Sequence, residues 1–169
     1  MRLITKATLS SSALLVLTML HHIYGAVIYS TPWRAHVVFF AGPAIVGLIA
    51  AMIIHRRSPS SLAGLLSKWT FVLLSAVGAV ISFGMYEGGY NHLLKNIFYF
   101  GGASPDTLQA MFPTPTYEMP NDFIFELSGV AQFFVGLWAA YDLVRFATRK
   151  SASVVSDPSK DLGHAVRNV

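Results

Sequence analysis

The chain contains no cysteine. That excludes a disulfide framework, a zinc–thiolate site, an iron–sulfur cluster and thiol redox chemistry. Charge is scarce as well: 12% of the 169 residues are Asp, Glu, Lys or Arg, roughly half the usual share for a soluble domain. No H-E-x-x-H or E-x-x-H metal signature and no internal repeat is present. The net charge of +4 does not point to nucleic acid, because the basic residues fall where a membrane protein carries them.

In place of charge there are long apolar runs, 54% hydrophobic residues and a mean hydropathy of +0.54. At about 20 residues per crossing, four segments are long enough to span a bilayer: 8–30, 36–55, 69–86 and 123–146. The fold expected is an all-α integral membrane protein, a four-helix transmembrane bundle over residues 1–147 with a flexible tail at 148–169. The basic start followed by an apolar run could be a signal peptide, but the run passes His21 and His22 to Ile28 without a small-x-small cleavage site, which favours an uncleaved span.

Basic residues set the orientation. Arg2 and Lys6 precede the first span, Arg56, Arg57 and Lys68 separate the second from the third, and Arg145, Arg149 and Lys150 close the fourth. Both termini are therefore expected in the cytoplasm. The link from Glu87 to Asp122 is expected outside, as a structured loop whose stretch NHLLKNIFYF (Asn91–Phe100) forms a short interfacial helix.

Small residues bring membrane helices together, and they orient the spans. Thr18, His22, Ala26 and Tyr29 share a face of the first, Pro43, Gly47 and Ala51 with His36 a face of the second, and Ser75, Gly78 and Ser82 a face of the third. Gly129, Gln132, Gly136 and Ala140 form the stripe of the fourth, which Glu126 and Asp122 extend. Adjacent residues on a helix diverge by about 100°. His22 is therefore taken as the functional histidine, and His21 as a packing residue bonded to a carbonyl or hydroxyl.

This places His22, His36, His92, Glu87 and Glu126 in the outer half of the bundle. Histidine and carboxylate ligands without thiolate suit iron, zinc, copper or manganese, and helix bundles build such centres from inward-facing Glu and His. The metal ligands expected are His22, His36, His92 and Glu126, and the catalytic groups Glu126, His22 and Glu87. A b-type haem held by His22 with His36 or His92 is a lesser reading, as is acid–base chemistry without a cofactor. Glu87 and His92 stand five apart, about 140° on a regular helix, so their convergence needs a break, which Gly88 and Gly89 could supply. Asp122 reads as a helix cap, and Lys95 as a snorkelling residue.

The function expected is a membrane enzyme acting on an apolar or lipid-like substrate. The alternatives are a non-catalytic subunit packed against other membrane proteins, and a transporter acting as a homo-oligomer.

Overall fold

The computed structural model describes residues 2–114 and 117–149. The expected tail from residue 150 onward lies outside them. Among the described residues there are helices and no strand. Four helices are long and apolar enough to cross a membrane: α1 (Leu3–Ile28), α2 (Pro32–Arg57), α3 (Leu62–Phe100) and α5 (Phe123–Ala147). A short helix, α4 (Pro105–Met111), lies in the connection between α3 and α5.

The ends follow local chemistry. Ser30, at φ +52°, stops α1, and Pro32 opens a 3-10 turn (Pro32–Val37) that runs into the rest of α2. The Ser61 hydroxyl caps α3 by accepting from Gly64 N, Ser104 caps α4, and Asp122 caps α5 by accepting from Phe125 N at 2.8 Å. The expected cap role of Asp122 is thus present.

The third span departs most from expectation. It does not end at Tyr86, and the 36-residue loop and separate interfacial helix do not form. The helix continues through Glu87, His92 and Lys95 to Phe100. Its stop is the Gly101–Gly102 pair: Gly102 sits at φ +81°, and Ala103 N bonds back to Phe98 O, the geometry that ends many helices. From Leu74 to Leu94 the helix is of the wide π type, closed by i→i+5 bonds. Such a helix turns by roughly 80–85° per residue, so residues five apart lie only about 50° apart. The buried residues follow that wide spacing: Ser75, Ala79, Val80, Gly84, Gly88 and His92. Gly78 and Ser82, expected on the packed face, fall away from it.

The wide segment packs most extensively on α5, which also lies along α1, while α2 covers α1 and the start of α3. Glycine makes the α3–α5 contact possible. A Cβ on Gly84 would stand 2.8 Å from Gly136 Cα, and one on Gly88 would stand 2.9 Å from Gln132 C. Gly88→Ala therefore pushes backbone against backbone. It should lower stability by about 3 kcal/mol, read as an earlier denaturation midpoint in detergent titration.

On α1 the buried line runs through Thr18, His21 and Gly25, one step from the line expected through His22. Gly25 explains the offset, since its bare backbone receives the Phe125 ring. On α2 Pro43 is exposed, and Ala41, Leu48 and Ala51 are buried, which turns His36 away from the interior. The α5 stripe of Gly129, Gln132 and Gly136 is buried as expected, with Ala139 in place of Ala140.

Candidate metal centre

The buried His21, Arg34, His92, Lys95 and Glu126 gather toward the end of the bundle that carries the α1–α2 turn and the α3–α5 connection. Glu87 is their hub. Its Oε1 has three imidazole Nε2 atoms around it, His22 at 3.6 Å, His92 at 3.7 Å and His21 at 3.8 Å. Its Oε2 accepts from Asn91 Nδ2 at 2.8 Å. The tight set is His21, Glu87 and His92, whose ligand atoms lie within 4.8 Å of one another. The wide helix creates this set, since it brings Glu87 and His92 onto one face without a break at Gly88 and Gly89.

Two of the imidazoles are held from behind. His21 Nδ1 lies 2.9 Å from Ser128 Oγ. That hydroxyl already donates to Phe125 O at 3.0 Å, so it accepts from His21, and the proton of a neutral His21 sits on Nδ1. His21 Nε2 then presents a lone pair toward Glu87. His92 Nδ1 lies 2.9 Å from Glu126 Oε2; a carboxylate only accepts, so Nδ1 is the donor and Nε2 again turns to Glu87. An imidazole whose far nitrogen donates to a hydroxyl or carboxylate is the arrangement that orients metal-bound histidines.

Distances of 3.6–3.8 Å are too long for hydrogen bonds. They are close to the roughly 3.3–3.4 Å that separates ligand atoms placed tetrahedrally about an ion with bonds of about 2.0–2.1 Å. Among the described residues no protein group bonds His21 Nε2 or either nitrogen of His22, although all three atoms are buried. Buried acceptors facing a carboxylate repel one another unless a proton or cation lies between them. The donor set, its spacing and its orphaned nitrogens all fit a metal ion.

An ion-pair chain surrounds the centre. Glu126 Oε1 pairs with Lys95 Nζ at 2.9 Å, Lys95 Nζ also donates to Glu118 O, and Glu118 Oε1 pairs with Arg34 Nη2 at 3.1 Å. Lys95 is 2% exposed, so it does not snorkel. It points into the bundle because α3 continues past the end expected for it. A cavity of about 200 Å³ at this end is lined by the exposed Trp33 and Tyr86, by Tyr117, and by Arg34, His22, Glu87 and His92 of the interior. Burial, together with the carboxylates of Glu126 and Asp122, pushes the Tyr29 hydroxyl up to about 12, and it donates to Asn121 Oδ1. With its pKa raised, that tie contributes fully below about pH 10 and is lost as pH rises through the raised value.

Of the residues singled out from the sequence, His22, Glu87, His92 and Glu126 come together here. Glu126 stands behind His92 rather than among the atoms facing Glu87 Oε1. His36 is elsewhere: it is exposed, its Nδ1 is bonded to Trp33 O, and its ring stacks on Trp33. His21, set aside as a packing residue, does make the expected hydroxyl bond, yet its other nitrogen belongs to the cluster. His22 Nε2 and His92 Nε2, the pair named for a haem, both face the Glu87 carboxylate, an arrangement that suits an ion held with that carboxylate. Ser128 carried no sequence signal beyond its i+2 position from Glu126. Ser128→Ala frees His21 to rotate and should weaken metal binding about 10–100-fold, measured by competition with a chromophoric chelator.

Comparison with protein-family models, with curated proteins and with solved structures finds no match to this chain. The functional reading therefore rests on the site.

Proposed function

We propose that this chain is a metal-dependent membrane enzyme acting on an apolar, lipid-like substrate. His21, His92 and Glu87 hold the ion, His22 stands beside Glu87 as a further ligand, and Ser128 and Glu126 orient the two imidazoles. The observation that carries this reading is the set of lone-pair nitrogens turned on one carboxylate, two of them fixed from behind. Iron, zinc, copper or manganese suits such a donor set. When bound, it would supply Lewis-acid or redox chemistry.

Orientation follows the basic residues. With Arg2, Arg56, Arg57, Lys68 and Arg149 on the cytoplasmic side, the centre lies in the outer half of the membrane. Substrate access is supported by a second opening, a groove of about 370 Å³ on the flank of the bundle. Phe100, Phe123, Leu127 and Val130 wall it, and Glu126 lies in its lining. Phe100, Phe123 and Leu127 are themselves exposed, as lipid-facing residues are. An apolar molecule can enter there from the bilayer and bring a polar head to Glu126, the partner of His92. Water and protons reach the other side of the centre through the cavity lined by Trp33 and Tyr117.

The test uses metal-loaded protein in vesicles containing mixed phospholipids, sterols and quinones, with products followed by mass spectrometry. Leu127→Trp fills the groove and leaves the ligands in place. Turnover should be lost in this variant while bound metal stays at the wild-type level. Turnover that is undiminished by Leu127→Trp, or unchanged in the metal-free protein, would overturn the reading.

A further inference from the structure

We infer that the opposite end of the bundle is built to hold an anionic phospholipid by its phosphate. The four spans each bring one cation there: Arg2 immediately before α1, Arg56 at the end of α2, Lys68 in α3 and Arg149 just after α5. All four line one cavity of about 610 Å³. No carboxylate of the described residues lines it, and none of the four cations makes an ion pair among those residues. Asp142, on α5 one turn before Phe146, is buried and is not part of the lining. Like charges drawn into one concavity repel, and a bound anion relieves that repulsion. A neighbouring cavity of about 410 Å³ shares Arg2 and Arg56 and adds Arg57, giving a headgroup room beyond the phosphate itself.

The occupant is a lipid rather than a soluble phosphate because one part of the wall is apolar and continues onto the lipid-facing surface. Leu3, Ile4, Leu65 and Phe146 form that part of the lining, and Leu62, Leu65 and Leu66 continue outward as exposed leucines. Acyl chains can lie along this strip while the phosphate meets the cations, the pattern of basic pockets that recognise anionic headgroups between membrane helices. The concavity is also fixed in shape. His55 Nδ1 donates to Gly64 O at 3.0 Å, and a Cβ on Gly64 would run into the carbonyl of Ser58, so the α2–α3 turn is packed onto its own helix ends. The site is independent of the metal centre at the other end.

The experiment places the full-length protein in nanodiscs of phosphatidylcholine with one-tenth phosphatidylglycerol and counts the lipids retained after gentle extraction. Wild-type protein should retain phosphatidylglycerol over phosphatidylcholine by about tenfold beyond their ratio in the disc. Arg56→Gln combined with Arg149→Gln should bring that preference close to parity. Lys6→Gln combined with Arg145→Gln removes the same charge at the same end, outside the cavity, and should keep it. If the first pair does not fold, the single Arg149→Gln variant, at an exposed position, should still lower the preference about threefold. Parity in the wild type, or an equal loss in the Lys6/Arg145 pair, would overturn the inference. Release of the retained lipid by about 10 mM inorganic phosphate would overturn the choice of a lipid and leave a soluble-phosphate site.

Discussion

Glu87→Ala is expected to reduce bound metal from about one ion per chain to less than about one-tenth of that, the largest effect of any single side chain here. Among the described residues, Glu87 supplies the only carboxylate oxygen within 4 Å of His21, His22 and His92 together. Without it three imidazoles remain with no negative charge to balance a cation. Glu87→Gln is the informative partner, because the amide can still accept from Asn91 and nearly fill the same volume. It should fold like the wild type by circular dichroism and still lose metal by at least about 100-fold in affinity. Wild-type affinity in Glu87→Gln would mean that the carboxylate only compensates protonated histidines.

Gly129→Ala should damage the centre almost as severely while leaving every ligand in the sequence. A Cβ at Gly129 would overlap the His92 ring at Cγ, Cδ2 and Nδ1. The ring must leave its place between Glu126 and Glu87, since α5 is held close to α3 by Gly136 and Gly84. A displacement of about 1 Å at a site of this kind is costly, and metal affinity should fall about 100-fold or more. Gly78→Ala is the control, with nothing within 4 Å of the added methyl, and should bind as the wild type does. Titration of each variant with Zn²⁺ or Co²⁺ against a competing chelator distinguishes the two. Equal affinities for Gly129→Ala and Gly78→Ala would show that His92 is not a ligand.

The spans were legible because lipid demands long apolar runs with satisfied backbone, and those runs stand out in a chain with so little charge. The α5 stripe was legible for a related reason: Gly129, Gln132 and Gly136 recur at helical spacing, and only the packed face rewards small residues. Other features resisted. The end of α3 was placed at Tyr86 because Glu87 and His92 look like residues leaving the membrane. Their charge is absorbed by the interior, and the true stop, Gly101–Gly102, begins fifteen residues further on. The phase of α3 could not be found with 100° per residue, since it widens from Leu74 to Leu94. That same widening joins Glu87 to His92, so the site and the error have one cause.

The choice between His21 and His22 turned on Gly25. Both histidines reach Glu87, but the packed line of α1 is set by the Phe125 ring lying on Gly25, a contact across helices that no local pattern contains. His36 failed in the same way: small residues on α2 suggested a face, whereas the helix is oriented by Ala41, Leu48 and Ala51. Lys95 reads as a snorkelling residue because its charge is costly to bury alone. It is buried against Glu126 from another helix, and that partner is what no local pattern shows.

The most direct test of the central claim is X-ray absorption at the edge of whichever metal elemental analysis finds in the purified wild-type protein. The account predicts about one ion per chain, a first shell of nitrogen and oxygen at about 2.0–2.2 Å without sulfur, and imidazole scattering from at least two histidines. His21→Ala should weaken the imidazole signal, and His36→Ala should leave it intact. A protein that holds no metal after loading, or one whose metal signal depends on His36 and not on His21, would contradict it.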